Sequence, residues 1–165
     1  MEEFTIGVVS DTHMPNKAEA LPIQLLEGLK GVKLIIHAGD FVKDHVVYEL
    51  EEIAPVTGVY GNNDDEYIRS MFGFKKIIEV MGFRIGVTHG DGSYSTTLNR
   101  AIKVFEKDVV DCVIFGHSHM PFNETIGNIL YFNPGSPTDK RRQQHFSYGI
   151  LKVGENRISG DLKFF

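Results

Sequence analysis

Two histidines, His117 and His119, stand two positions apart directly after a run of β-branched and aromatic residues that ends at Phe115. The run is typical of a buried strand, Gly116 permits a sharp exit from it, and Pro121 prevents the strand from continuing. Side chains at positions i and i+2 of extended backbone point to the same side, so both imidazoles are expected to aim at one small volume. Two histidines in a surface loop would be the plainer interpretation. The metal site is favoured because the same arrangement recurs along the chain.

Four further apolar runs also end at side chains that can bind a metal ion. These are Asp11 and His13 after residues 4–10, Asp40 after residues 32–36, Asn62 after residues 55–60 and His89 after residues 83–88. Each pattern alone has an ordinary structural interpretation, because aspartate and asparagine are common in turns and at the start of helices. His37 precedes the glycine of its motif, inside the predicted strand, and is interpreted as a core or supporting histidine. The repetition at five strand ends favours a metal site.

The elements that must position these side chains follow from the spacing of apolar residues. Strands are predicted at residues 4–10, 32–36, 55–60, 75–80, 83–88, 111–115, 130–132, 146–153 and 157–165, helices at 17–29, 45–52, 65–72 and 96–105, and a turn-containing segment at 125–129. Pro22 is expected to delay the first helix and Asp44 to cap the second. Strands that alternate with helices and then continue mostly as strands predict an α/β fold with a mixed sheet core. Because loops after the carboxyl ends of strands gather on one side of such a sheet, the candidate ligands are expected to meet there.

Length, composition and charge exclude several classes of function. The 165 residues suffice for one good hydrophobic core, so a single domain over residues 1–165 is expected. A net charge of −5 argues against stable binding of nucleic acid, which requires a basic surface. The one cysteine, Cys112, lies in an apolar run, which excludes an intramolecular disulfide and indicates a reducing compartment. Neither a signal peptide nor a membrane span is visible, so a cytoplasmic location is predicted.

Two carboxylates, one amide oxygen and four imidazoles are too many ligands for one structural zinc ion, which takes four. They suit two divalent cations, and Asp40 is the natural bridge between them because it follows a central strand. Mixed nitrogen and oxygen ligands favour manganese, zinc, iron or nickel, with manganese expected in a reducing cytoplasm. Two such ions, about 3.5–4 Å apart, clamp a phosphoryl oxygen and align a water of lowered pKa for in-line attack on phosphorus.

Five motifs of this chain resemble, in order and spacing, those of the calcineurin-like metallophosphoesterases. They are Asp11-x-His13, Gly39-Asp40, Gly61-Asn62-x-Asp64, His89-Gly90 and Gly116-His117-x-His119. The size of the chain is similar to that of the small bacterial and archaeal phosphodiesterases, a subgroup related to the vacuolar sorting subunit of retromer. The resemblance implies a four-layer α/β/β/α sandwich with mixed sheets. It also implies that one ion is held by Asp11, His13, Asp40 and His119, and the other by Asp40, Asn62, His89 and His117.

The chain departs from the family pattern at Asn63, where many members have a histidine taken to protonate the leaving group or to stabilise the transition state. Asparagine can donate a hydrogen bond but cannot release a proton near neutral pH. Loss of a general acid costs about 10²–10⁴-fold on a poor leaving group and little on a good one. We therefore expect a preference for phosphodiesters with acidic leaving groups, such as aryl esters. Asp64 is expected to orient a ligand or to hold the turn.

Residues 133–137 and Arg141 resemble a loop that often follows the last metal motif in this subgroup. A guanidinium can grip two oxygens at once, so Arg141, together with Ser136, is predicted to contact the phosphate of the substrate. The alternative is a rigid turn followed by a solvated arginine. On this interpretation the substrate is a small phosphodiester, and the chain is expected to be a monomer or a small homo-oligomer.

Two alternative functions stay open at this point. Retromer relatives use the same fold as a surface for protein interaction with a degraded metal site, but this chain retains every expected ligand. A nuclease or cyclic-nucleotide diesterase would share the chemistry and differ only in substrate. The acidic balance weakens the nuclease, and the sequence does not decide about small or cyclic nucleotides.

Overall fold

The computed structural model describes residues 2–165, which form ten strands and four helices. The strands are β1 Phe4–Val9, β2 Leu34–His37, β3 Val56–Gly58, β4 Lys75–Val80, β5 Phe83–Thr88, β6 Cys112–Ile114, β7 Phe122–Ile126, β8 Ile129–Asn133, β9 Ser147–Val153 and β10 Ile158–Phe164. The helices are α1 Ile23–Gly28, α2 His45–Glu51, α3 Glu66–Phe72 and α4 Thr97–Val104. The first sheet has the order β10-β9-β1-β2-β3 and the second β4-β5-β6-β8-β7. Each sheet is mixed: β1, β2 and β3 run parallel in the first and β5, β6 and β8 in the second, and the other pairs of neighbouring strands are antiparallel.

Three clusters of buried side chains order the sheets and helices into four layers. The cluster between the two sheets joins Val8 of β1 and Ile36 of β2 to Ile114 of β6. The outer face of the first sheet packs on α1, α2 and α3, and that of the second sheet packs on α4. Side chains alternate between the two faces of β6, so Cys112 and Ile114 face the first sheet, whereas Val113 faces α4. The layers confirm the predicted α/β fold, with Cys112 a buried free thiol.

The helices begin and end where local chemistry allows. The first, α1, starts directly after Pro22, which confirms the expected effect of the proline, but residues 17–22 of the predicted range 17–29 lie outside the helix. Asp65 caps α3 by accepting from the Ile68 amide at 3.0 Å, and Thr96 caps α4 by accepting from the Asn99 amide at 3.1 Å. The side chain of Asp44 makes no capping hydrogen bond to α2, which corrects the expectation that it would. The longest helix has eight residues, and none in residues 2–165 is long and apolar enough to cross a membrane.

The turn-containing segment predicted at residues 125–129 is confirmed: residues 127–128 form the turn of a hairpin whose strands are β7 and β8. Most of β7 is exposed and its sequence, Phe-Asn-Glu-Thr-Ile, lacks a sustained apolar alternation, so no strand was predicted there. It pairs with β8 along one side and forms the edge of the second sheet. Edge strands are defined by the backbone bonds of their neighbour rather than by burial of their own side chains.

Candidate metal centre

The loops that carry the candidate ligands are tied together by backbone hydrogen bonds at the carboxyl ends of the parallel strands. The amide of Asp11, after β1, donates to Gly39 O at 2.9 Å, and the amide of His13 donates to Asp40 O at 3.0 Å. On the second sheet the amide of Gly116 donates to His89 O at 3.0 Å. The loops after β1 and β2, and those after β5 and β6, are thus held in fixed register. The expected gathering of strand ends is what brings the side chains close.

Two glycines let these loops approach more closely than other residues would allow. A Cβ atom on Gly39 would lie 2.6 Å from His89 Nδ1, and φ of Gly39 is 103°. A Cβ atom on Gly61 would overlap the carboxylate of Asp40. Both positions therefore require glycine, for space at Gly61 and for space and backbone conformation at Gly39.

Five of the seven candidate ligands lie in the left-handed region of backbone conformation. Their φ values are 57° for Asp11, 45° for His13, 62° for Asp40, 68° for His117 and 60° for His119. A residue other than glycine costs about 1–2 kcal/mol there, so the surrounding structure must hold each one in place. The extended backbone expected across His117 and His119 is wrong, because β6 ends at Ile114. The two histidines belong to a tight turn, in which the Ser118 amide donates to Gly116 O at 2.8 Å.

Five of the predicted ligands converge on one buried volume. Oδ1 of Asp11 lies 3.8 Å from Nε2 of both His13 and His89, and 3.6 Å from Nε2 of His119. Oδ2 of Asp40 lies 3.4 Å from Nε2 of His13 and 3.2 Å from Nε2 of His89. These contacts form two groups able to hold an ion, Asp11 with His13 and His119, and Asp11 with Asp40 and His89. Both carboxylates stand between histidines of the two groups.

Four atoms in this volume are buried without a hydrogen-bond partner. They are Oδ1 of Asp11 and Nε2 of His13, His89 and His119, the only such side-chain atoms within residues 2–165. A buried polar atom left unpaired lowers the stability of the folded protein by about 1–3 kcal/mol, so four such atoms together would destabilise a metal-free core considerably. Cations bound between them would satisfy all four atoms. The donor set of imidazole nitrogens and carboxylate oxygens fits divalent transition-metal ions.

Backbone carbonyls fix the orientation of two of the imidazoles. Nδ1 of His89 donates to Ala38 O at 2.7 Å, and Nδ1 of His119 donates to Asp139 O at 2.5 Å. A carbonyl only accepts, so a proton must sit on Nδ1 of each ring, and Nε2 is the nitrogen that faces the centre. A cation bound there would take the place of any second proton on Nε2. Sequence reasoning missed both partners, because a backbone carbonyl leaves no signal in residue type.

The electrostatics of the centre favour positive ions. Burial disfavours charge on His89, but the carboxylates of Asp11 and Asp40 outweigh it and raise the His89 pKa to about 9. Burial also opposes ionisation of Asp40, yet His89 and Asn63 hold its pKa below the usual range. Burial lowers the pKa of His119, which keeps that imidazole neutral and able to bind metal. Two ionised carboxylates thus face imidazole nitrogens around one point.

The Gly61–Asp64 turn supports Asp40 from two sides. Asp64 is buried and accepts from the amides of Asp40 at 2.9 Å, Val42 at 2.7 Å and Gly61 at 2.7 Å. Asn63 donates to the Asp40 carboxylate from its side chain at 2.9 Å and from its backbone amide at 2.8 Å. Both side chains are therefore used to position Asp40, and the Asp64 carboxylate is turned away from solvent.

The remaining candidate ligands lie at the edge of the centre. The ring of His117 meets that of His89 edge-on, with centroids 5.2 Å apart, and is half-buried. Asn62 is exposed, and its backbone carbonyl accepts from Arg69 at 3.3 Å. His37 stays outside the centre, as interpreted from the sequence: its ring stacks on Phe41 at 3.6 Å and Nδ1 accepts from the Gly39 amide.

Of the two predicted phosphate contacts, only Arg141 is available. It is exposed, and its Nη1 donates to His117 O at 3.4 Å. Ser136 is buried, donates to Asp11 O at 2.8 Å and accepts from the amides of Thr138 and Asp139. The expectation for Ser136 is wrong, because the hydroxyl is already used to hold the β1 loop.

Comparison with known proteins gives a consistent result. The model of the calcineurin-like phosphoesterase superfamily domain matches residues 4–156. A probable metallophosphoesterase of Methanothermobacter thermautotrophicus is 36% identical over 162 residues, 95% of this chain and 90% of the relative. A phosphodiesterase of Methanocaldococcus jannaschii is 34% identical over 144 residues, 79% of this chain and 82% of that protein. The crystal structure of Vps29 from Chaetomium thermophilum has a TM-score of 0.81 over 98% of this chain and 97% of Vps29, at 19% identity, a likeness of fold alone.

Proposed function

The chain belongs to the calcineurin-like phosphoesterase superfamily, and on that premise we propose that it hydrolyses phosphodiesters with the help of two divalent cations. The observation that carries the proposal is the set of four buried, unpaired atoms on Asp11, His13, His89 and His119. A relative of 34% identity is named a phosphodiesterase, which supports diesters as the substrate class.

The residues divide between two cation positions as the family pattern suggests. Asp11, His13, Asp40 and His119 would hold one cation, and Asp40, Asn62, His89 and His117 the other. The position of Asp40 Oδ2, 3.4 Å from His13 and 3.2 Å from His89, supports a bridging role, because those histidines are assigned to different cations. Asp11 Oδ1 reaches the same two histidines and is a second candidate for the bridge. We propose manganese as the native metal and the cytoplasm as the location of the protein.

The side chains of this protein position the reaction and stabilise its charges. When bound, the cations would supply the positive charge that lowers the pKa of a water and clamps phosphoryl oxygens. Asp64 and Asn63 hold the Asp40 carboxylate in place, and Arg141 contacts a phosphate oxygen of the diester. The water, after releasing a proton to solvent, would attack phosphorus, and the bond to the leaving oxygen would break on the opposite side. Because Asn63 supplies no proton, the departing oxygen leaves most easily as a stabilised anion such as a phenolate.

The test is removal and return of metal, with metal content measured beside activity. Wild-type protein is chelated, reloaded with manganese, zinc, iron or nickel, and assayed on aryl diesters, cyclic nucleotides and phosphomonoesters. We expect about two bound ions per chain and hydrolysis of aryl diesters above the other substrates. Asp40→Asn and His89→Ala are expected to lose metal and abolish the rate while the chain stays folded by circular dichroism. A fully folded wild type that takes up no divalent ion would refute the proposal.

The alternatives fit the site less well. A scaffold for protein interaction gains nothing from four buried polar atoms without partners, each of which lowers its stability. The likeness to Vps29 extends to the fold and carries no partner to this chain. A nuclease would need basic surface to bind its polymer, and the net charge is −5.

A further inference from the structure

A cavity of about 400 Å³ lies beside the proposed metal centre, between the first half of α4 and the segment that follows β6. Its wall includes Ser118, which stands between His117 and His119, and Met120, the next residue after His119. Pockets for small molecules in proteins have volumes of about 300–1,000 Å³, so the space suits an aromatic ring. Because Ser118 and Met120 alternate with the proposed ligands His117 and His119 along the chain, the cavity lies next to the segment that carries those ligands.

The lining of this cavity is suited to an uncharged group. Leu98, Phe115, Met120 and Phe122 supply apolar surface, and Arg100 is the one charged residue in the wall. The guanidinium of Arg100 is turned onto its own segment: it donates to Gly90 O at 2.8 Å, Tyr94 O at 2.7 Å, Ser95 O at 3.1 Å and Thr97 Oγ1 at 3.2 Å. It is therefore committed to neutral oxygens and holds α4 against the loop that follows His89.

A second cavity differs from the first in the charge of its lining. It has a volume of about 590 Å³, and its lining includes Lys17 and Lys140 beside apolar and uncharged polar residues. Lysines would favour an anionic ligand there. The cavity beside α4 is the one of the two whose wall offers no free charge, so the two spaces differ in the chemistry they would bind.

Met120 lines the cavity and is also open to solvent. The side chain is 56% exposed, although it follows a fully buried histidine. Methionine is flexible and polarisable, and it commonly contacts aromatic rings at adaptable binding surfaces. We propose that this cavity binds an uncharged aromatic group esterified to the phosphate of the substrate, with Met120 as a specificity-determining residue. The inference rests on the proposed function, since it names the group that the same site selects.

Two diesters with one leaving group isolate the effect of the cavity. 4-Nitrophenyl phenyl phosphate and 4-nitrophenyl methyl phosphate both release 4-nitrophenolate and differ only in the retained group. For reloaded wild type we expect kcat/KM about tenfold higher for the phenyl ester, and we expect Met120→Ala to lower that ratio about fivefold. Met120→Leu, which keeps an apolar wall, restores most of the ratio. Met81→Ala is the matched control, because Met81 is 36% exposed and lies just before β5, at the far end of that strand from His89.

A binding measurement tests the cavity without turnover. The chain has five methionines, so selective ¹³C labelling of their methyl groups yields few resonances to assign. Diphenyl phosphate is expected to shift the Met120 methyl signal and to leave that of Met81 unchanged, whereas dimethyl phosphate moves neither. If the wild type hydrolyses no diester, the proposed function is wrong, but the methyl shifts still test whether the cavity binds an aromatic group. If diesters are hydrolysed but Met120→Ala keeps the wild-type ratio, or the Met120 signal does not move, the inference is overturned.

Discussion

Replacing Asp64 by asparagine removes the carboxylate that holds the Asp40 loop, while the side chain at position 64 keeps almost the same shape. Oδ2 of Asp64 accepts from the amides of Asp40 and Gly61, and Oδ1 accepts from the amide of Val42. An asparagine keeps one oxygen, so at best it retains the pair of bonds to Asp40 and Gly61. Its NH₂ group would then face the N–H of Val42, and two donors without an acceptor between them repel each other.

The expected cost is about 2–4 kcal/mol of unfolding free energy. Losing one hydrogen bond and leaving the Val42 amide unpaired costs about 1–3 kcal/mol, and the two remaining bonds lose the strength that a charged acceptor gives. Burial, with Asp40 adding to it, raises the pKa of Asp64, and the three amides oppose that rise only in part. Removing the charge relieves some of that penalty, which keeps the total toward the lower end.

The neighbouring residue provides a matched control. Asp65 is partly exposed, caps α3 and pairs with Lys43 at 3.3 Å. Asn is as good a helix cap as Asp, and a surface ion pair contributes at most about 1 kcal/mol, so Asp65→Asn should be nearly silent. Urea unfolding in chelator measures both variants without metal, and titration with manganese measures affinity. Asp64→Asn should also bind metal more weakly, because Asp40 loses its support. Equal midpoints for the two variants would refute this account of the turn.

Three further predictions concern pH, leaving group and phosphate binding. Burial lowers the pKa of His37 to about 3 from 6.5, so between these values the unfolded chain binds a proton that the folded protein does not. The contribution of His37 to the free energy of unfolding is complete above pH 6.5 and falls by about 1.4 kcal/mol per pH unit below it. In His37→Gln, the free energy of unfolding measured with urea should therefore depend less on pH between 6.5 and 4.5. An unchanged slope against pH would contradict this. Asn63→His should raise the rate on alkyl diesters relative to aryl diesters about tenfold or more, measured as a ratio of kcat values; an equal gain on both would deny it a proton-donor role. Arg141→Ala should raise KM for diesters several-fold with metal content unchanged, and an unaltered KM would place the guanidinium outside the phosphate site.

Much of the fold could be predicted from local pattern. Continuous apolar runs marked the buried parallel strands β1 and β2, since a strand covered on both faces must be apolar throughout. Pro22 marked where α1 begins, and the spacing of Leu98, Ile102 and Phe105 marked the face of α4 that packs on the second sheet. The edge strand β7 was missed, because its own side chains are exposed and only pairing with β8 defines it.

The candidate ligands could likewise be named from the sequence, because the rule that strand ends gather depends only on strand order and direction. How the ligands are oriented, and which other groups hold them in place, depended on the tertiary structure. Left-handed backbone at His117 and His119, and the carbonyls of Ala38 and Asp139, are invisible in residue types. The same is true of Ser136, whose hydroxyl the fold uses to hold the β1 loop. Residue type sets which atoms can bind a cation, but only long-range packing decides which of those atoms are left buried without a partner.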